Sequence, residues 1–197
     1  MSTAILKYPA GNIFSVVSAL KRLGVEAEIT DDVSALRSAE RVVIPGQGEA
    51  AVTMAYLRKT GLDNVVRSLR QPVLGICIGM QLMCERSEEG GDTECLGIFP
   101  GVGVKRFVPT KGEKVPHMGW NSLTSMKGRL FNGIDEGSYV YFVHSYYVPV
   151  CEFTAARSEY TLGFSAAIEK DNFMAVQFHP EKSGTVGEKV LKNFLEL

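Results

Sequence analysis

Pro72-Val-Leu-Gly75-Ile-Cys77-Ile-Gly79-Met-Gln81 is the stretch from which the fold is read. Val73 to Ile76 is a short apolar run, the pattern of a strand covered on both faces. Gly75-Ile-Cys77-Ile-Gly79 follows the G-x-nucleophile-x-G spacing, and residues 78–86 then read as a helix. A strand, a tight turn and a helix in so few residues is the layout of a nucleophile elbow. Glycines at 75 and 79 let neighbouring backbone crowd the turn, because neither carries a Cβ. Cys77 then stands between the carboxyl end of a strand and the amino end of a helix. Free N–H groups and partial positive charge there favour a thiolate. The spacing alone also suits a buried cysteine beside packing glycines.

Upstream, residues 4–8 form a strand candidate and Asn12 can cap the helix that follows. Ile13, Val16, Val17, Leu20 and Leu23 recur at helical spacing up to Gly24. Residues 25–30 read as a strand, 32–39 as a short helix and 41–45 as a third strand. Residues 49–69 read as a helical stretch broken at Gly61. This alternation predicts an α/β fold, an open, mostly parallel central sheet with flanking helices. Gly46-Gln47-Gly48 follows the third strand and so falls at the carboxyl edge of the sheet, where open α/β sheets bind ligands. The same tripeptide also suits an ordinary turn.

Downstream, residues 87–94 are polar and glycine-rich and read as a surface loop whose acidic residues form a solvated face. Cys84 reads as core on the elbow helix. From Leu96 the pattern changes to short strands, at 102–108, 114–118, 139–147, 153–157, 164–169 and 173–178. The second half is therefore strand-rich, and a last helix covers 186–195.

His179-Pro180-Glu181 stands at the end of the 173–178 strand. A carboxylate that close can orient an imidazole and stabilise its protonated form. The imidazole can take the Cys77 proton and later give it to a leaving amine. Cys77, His179 and Glu181 thus form a candidate catalytic triad. The chain has only three histidines. His117, beside the only tryptophan, and His144 read as hydrogen-bonded structural residues.

Composition bounds the function classes. At 197 residues a single domain spanning 1–197 is expected. Lys plus Arg is 21 and Asp plus Glu is 22, a net charge of −1 that gives no argument for nucleic acid or an anionic membrane as partner. No apolar run approaches the roughly 20 residues of a membrane span. The first residues have no basic segment ahead of an apolar core, so no secretory signal is read. Four cysteines, at 77, 84, 95 and 151, form no C-x-x-C pair. Reduced thiols, a cytoplasmic location and no metal site are expected.

These residues resemble the triad glutamine amidotransferases, and most closely the glutaminase subunits of imidazole glycerol phosphate synthase. Gly75-Ile-Cys-Ile-Gly-Met-Gln81 is similar to the family's nucleophile motif. Residues 114–121 (Lys-Val-Pro-His-Met-Gly-Trp-Asn), 141–147 (Tyr-Phe-Val-His-Ser-Tyr-Tyr) and 177–184 (Gln-Phe-His-Pro-Glu-Lys-Ser-Gly) are similar to segments typical of that subunit. The resemblance implies the class I, flavodoxin-like amidotransferase fold and hydrolysis of glutamine through a thioester on Cys77. It implies that Gln81 and main chain near Ser145 and Tyr146 hold the substrate. It places the oxyanion hole on the N–H of Ile78 and one from Gly46-Gln47-Gly48, donors worth ~2.7–4 kcal/mol each. It implies a heterodimer with a (β/α)₈-barrel cyclase subunit, docked at Asn12, Trp120, Tyr141 and Lys182, and no cofactor. Two departures stand out. Gln47 replaces the usual valine of Pro-Gly-Val-Gly, and Lys7-Tyr8-Pro9 stands where Asp-Tyr-Gly is usual. An amidotransferase subunit for another pathway, a non-catalytic subunit and a cysteine hydrolase are the alternatives. Because ammonia is mostly protonated at neutral pH, turnover is expected only with partner and ligand bound, by a backbone flip at Gly46-Gln47.

Overall fold

The computed structural model describes residues 2–9, 13–46, 48–110 and 112–197. Asn12 and Gln47 lie outside them. The strands are β1 (Thr3–Leu6), β2 (Ala27–Thr30), β3 (Arg41–Ile44), β4 (Val73–Ile76), β5 (Cys84–Ser87), β6 (Thr93–Glu94) and β7 (Phe99–Arg106). They continue with β8 (His117–Ser122), β9 (Tyr139–His144), β10 (Tyr146–Pro149), β11 (Thr154–Glu159), β12 (Gly163–Lys170) and β13 (Phe173–Val176). The helices are α1 (Phe14–Arg22), α2 (Val33–Ser38), α3 (Ala50–Thr60), α4 (Leu62–Ser68), α5 (Ile78–Met83) and α6 (Gly184–Leu195).

The main sheet runs β2-β1-β3-β4-β13-β12-β10-β7-β5-β6, with β11 on β12. Pairing is parallel from β2 to β13 and antiparallel from β13 through β12 and β10 to β7. The parallel part is covered on both faces, as its apolar runs require. Val42 and Ile44 of β3 and Val73 of β4 face one core, with Leu36, Met54, Leu57 and Val66 from α2, α3 and α4. Val43, Leu74 and Ile76 face the other, with Leu20 of α1 and Leu191 and Phe194 of α6. Val73, Leu74 and Ile76 are fully buried, each contributing about 1.5–3 kcal/mol. Gly61 has φ 73° and separates α3 from α4 at the position the sequence marks. Among the described residues no helix is long and apolar enough to cross a membrane.

Four expectations are corrected. The elbow helix ends at Met83 rather than Arg86. Leu96, Gly97 and Ile98 donate their N–H groups to the carbonyls of Leu82, Cys84 and Met83, at 2.8, 2.8 and 2.9 Å. Those carbonyls are thereby satisfied from outside the helix, and the chain leaves as β5, parallel to β7. Cys84 is buried as expected, but it opens a strand. The 139–147 strand is two strands. β9 pairs with β8 in a separate ribbon, while β10 joins the main sheet, and Ser145 is the break. The strand expected at 114–118 runs from His117 to Ser122.

Candidate active site

β4 delivers Cys77 to the carboxyl edge of the parallel sheet. Cys77 has φ 50° and ψ −105°, a conformation that side chains rarely adopt. Its N–H donates to the Val176 carbonyl of the neighbouring strand at 2.8 Å, which holds the turn in place. The glycines permit this close packing. A Cβ on Gly75 would lie 2.8 Å from the Gly79 carbonyl, and one on Gly79 would run into the Ile44 carbonyl. Ile78 opens α5, so its N–H is among those that a helix leaves without an internal partner.

β13 ends beside the elbow and delivers His179. Nδ1 of His179 meets Glu181 Oε1 at 2.8 Å, and the imidazole is also hydrogen-bonded to Cys77. Nδ1 is committed to the carboxylate, so Nε2 is the nitrogen left for the sulfur. Burial disfavours charge on this imidazole, but the Cys77 sulfur and the Glu181 carboxylate outweigh it and hold its pKa up to about 10. Sequence-distant members of the proposed triad are thus adjacent. Gly187 of α6 allows the turn to sit there, because a Cβ on it would collide with the Pro180 carbonyl.

The turn is also tied to β9. The N–H of His179 donates to the Tyr141 carbonyl at 2.9 Å. The Tyr141 N–H donates to Ser183 Oγ at 2.9 Å, and that hydroxyl donates to the His179 carbonyl at 2.7 Å. Trp120 pairs with Tyr141 across the β8–β9 ribbon, with ring centroids 6.1 Å apart, and is 56% exposed. Lys182 is exposed beside the same turn. Trp120 and Tyr141 therefore share one face of the ribbon, and Lys182 lies in the turn that the Tyr141 main chain holds.

A cavity of about 380 Å³ opens onto Cys77. Gly46, Gly48, Ile78, Gln81, Ser145 and Tyr146 line it, so the described residues expected to hold substrate are brought together. Gln81 donates from Nε2 to the Tyr146 carbonyl at 3.2 Å and to Gln177 Oε1 at 3.0 Å. Its own Oε1 is left as an acceptor.

Glu89 also lines the cavity and corrects the reading of residues 87–94 as a solvated face. The early end of α5 turns the chain back toward the elbow. Glu89 Oε2 accepts the N–H of Ala50 at 2.7 Å, at the start of α3. Burial raises its pKa, the Ala50 hydrogen bond opposes this, and Glu49 adds to the rise. The glycine-rich stretch around Glu89 reads as solvent-facing. A carboxylate soon after an elbow helix was the available signal.

The other two histidines form a buried pair. His117 Nδ1 and His144 Nε2 are 3.0 Å apart, and His144 Nδ1 lies 2.7 Å from the Tyr146 carbonyl. Burial pushes the pKa of His117 down to about 4 and that of His144 down to about 3. They are neutral, as structural histidines.

A cysteine on an elbow, an imidazole between it and a carboxylate, and a polar cavity beside them form the apparatus of acyl transfer through a thioester. Residues 7–197 match the family model described as glutamine amidotransferase class-I. Imidazole glycerol phosphate synthase subunit HisH of Bacteroides thetaiotaomicron is 62% identical over 198 residues, covering 100% of both chains. The protein of the same name from Shewanella loihica is 45% identical, covering 99% of this chain and 90% of that one. A solved glutamine amidotransferase has a similar fold, with a TM-score of 0.74 at 22% identity, over 98% of this chain and 97% of that one. PurLQS from Thermotoga maritima has a TM-score of 0.70 at 19% identity, over 99% and 97%. The chain belongs to the class-I glutamine amidotransferases and, within them, to the family of the imidazole glycerol phosphate synthase subunit HisH.

Proposed function

We propose that the chain hydrolyses glutamine to glutamate and ammonia at Cys77. The ammonia goes to the cyclase subunit of an imidazole glycerol phosphate synthase, in histidine biosynthesis. The observation that carries the chemistry is the imidazole of His179 set between the Cys77 sulfur and Glu181.

His179 takes the Cys77 thiol proton, and the nucleophile forms. The sulfur attacks the side-chain amide carbon of glutamine. Charge moves to the amide oxygen, which the Ile78 N–H and one from the Gly46–Gly48 loop stabilise. His179 gives its proton to the amide nitrogen, and ammonia leaves. The same imidazole then takes a proton from water, which attacks the thioester and releases glutamate. Glu181 holds the ring through Nδ1 and stabilises its charged form. Gln81 and main chain at Ser145 and Tyr146 hold the amino-acid end of the substrate. Glu89 supplies a negative charge in the same cavity for the substrate ammonium.

The cyclase partner is a (β/α)₈ barrel that docks over Trp120, Tyr141 and Lys182. An exposed tryptophan and Met118, 63% exposed beside it, are the kind of apolar surface that a partner covers. Tyr141 bonds to both ends of the His179–Ser183 turn through its main chain, so docking bears directly on the triad.

Ammonia release from glutamine tests this reading, measured for the chain alone, with the cyclase, and with the cyclase and its nucleotide ligand. Turnover is expected only in the full mixture and is expected to vanish in Cys77→Ala. Full turnover by the chain alone overturns the coupling, and no turnover in any mixture overturns the glutaminase assignment.

A further inference from the structure

Gln177 is fully buried and, beyond accepting a hydrogen bond from Gln81, has been given no part in the machinery. It follows β13 directly, and its N–H is fixed to the Ala166 carbonyl at 2.8 Å. Its side-chain Nε2 lies 3.5 Å from the Cys77 sulfur, and its Oε1 accepts from Gln81 at 3.0 Å. In extended chain, alternate residues share a face, so Gln177 and His179 approach the elbow together.

Which end of the Gln177 amide meets the sulfur follows from its surroundings. The Tyr146 carbonyl can only accept hydrogen bonds. The Gln81 atom 3.2 Å from it must therefore be the NH₂ nitrogen. That same nitrogen faces Gln177, so Gln177 presents its oxygen to Gln81. Its NH₂ is then left for the sulfur. The Tyr146 carbonyl also settles the histidine pair. His144 Nδ1 must carry a proton to donate to it, so neutral His144 accepts at Nε2 from His117 Nδ1–H. His117 Nε2 accepts in turn from Asn121 Nδ2, 3.4 Å away. One carbonyl thus orients a chain of donors from the β8 strand to the nucleophile.

Resting on the thioester reading above, we propose that Gln177 is a further catalytic residue. Its side-chain N–H stabilises the Cys77 thiolate, in an orientation imposed by Gln81 and the Tyr146 carbonyl. His179 and Gln177 then hold the sulfur with one charged and one neutral donor. Hydrogen bonds to charged groups are the strong ones, and the sulfur is charged only before attack and after the thioester is cleaved. Gln177 therefore acts on formation of the nucleophile and its return, and little on substrate affinity.

The test is alkylation of Cys77 by iodoacetamide in the assembled complex, read as the ratio of the rate at pH 6 to that at pH 9. Gln177→Met keeps the length and removes the donor. The ratio is expected to fall about tenfold or more, with kcat reduced by a similar factor and KM changed less than about threefold. Altered packing or access alone would lower both rates together and leave the ratio unchanged, and an unchanged ratio overturns the proposal. If Gln177→Met loses its native melting transition, Gln177→Asn decides by the same ratio, since it withdraws the amide from the sulfur. A wild-type complex that releases no ammonia but shows the fall in ratio supports the role of Gln177 while the glutaminase reading fails. Wild-type turnover with an unchanged ratio in Gln177→Met overturns Gln177 alone.

Discussion

The β13 turn and the β8–β9 ribbon each bury imidazole, and they leave it in opposite states. At His179 the pKa stands at about 10, while at His117 and His144 it stands at about 4 and about 3. Burial disfavours charge in all three. The difference lies in what each ring touches. His179 has a carboxylate at 2.8 Å and a sulfur that shares its proton. His144 has a carbonyl and another imidazole, and His117 has that imidazole and an amide. A low-dielectric site strengthens whichever partner is present, so one residue type serves as an acid–base group in one place and as a fixed neutral strut in the other.

The largest test of this contrast removes the charged side. His179→Ala should lower kcat in the assembled complex by about 10⁵-fold, and Glu181→Ala by about 10⁴-fold, because the carboxylate acts through the ring. Equal losses would remove that hierarchy, and retained turnover in His179→Ala would break the contrast outright.

A second test reads the same pair as stability. A folded-state pKa raised from 6.5 to about 10 gives stability that is fully present below about pH 6.5 and is lost as pH rises toward 10. The melting temperature of the wild type should exceed that of Glu181→Gln near pH 6, and the gap should narrow by pH 10. A gap that widens with pH would contradict the charged pair.

The smallest effect lies on the neutral side. Folded-state values of about 4 and about 3 lie below the ordinary 6.5, so the folded chain binds fewer protons than the unfolded one over this window. Stability is lost as pH falls from about 6.5 toward 4. The double variant His117→Phe, His144→Phe should melt with a shallower acid dependence over that range. An unchanged slope would mean that these rings are not what acid attacks.

How much of this was legible depends on how local each feature is. Gly75, Cys77 and Gly79 form one turn, and their spacing carried the elbow directly. Cys77, His179 and Glu181 could be assembled because two short segments each end a strand. Gln177 was hidden, since a glutamine in an apolar strand carries no signal until Gln81 and Cys77 are seen beside it. Glu89 was misread because acidic residues in a glycine-rich loop usually face water. Nothing in residues 78–86 shows that Leu96, Gly97 and Ile98 will take up the last helical carbonyls. The break at Ser145 was also invisible, since residues 139–147 keep strand character throughout and only their partners change.

Local sequence patterns settled the parallel half of the sheet, the elbow and the residue types of a triad. These follow from periodicity, glycine and proline positions and short spacings, which act between near neighbours. The tertiary structure alone decided which glutamine amide faces the sulfur, which histidine carries charge and which carboxylate enters the cavity. Those outcomes depend on desolvation and on hydrogen-bond partners from remote strands, and both exist only once the chain has closed around them.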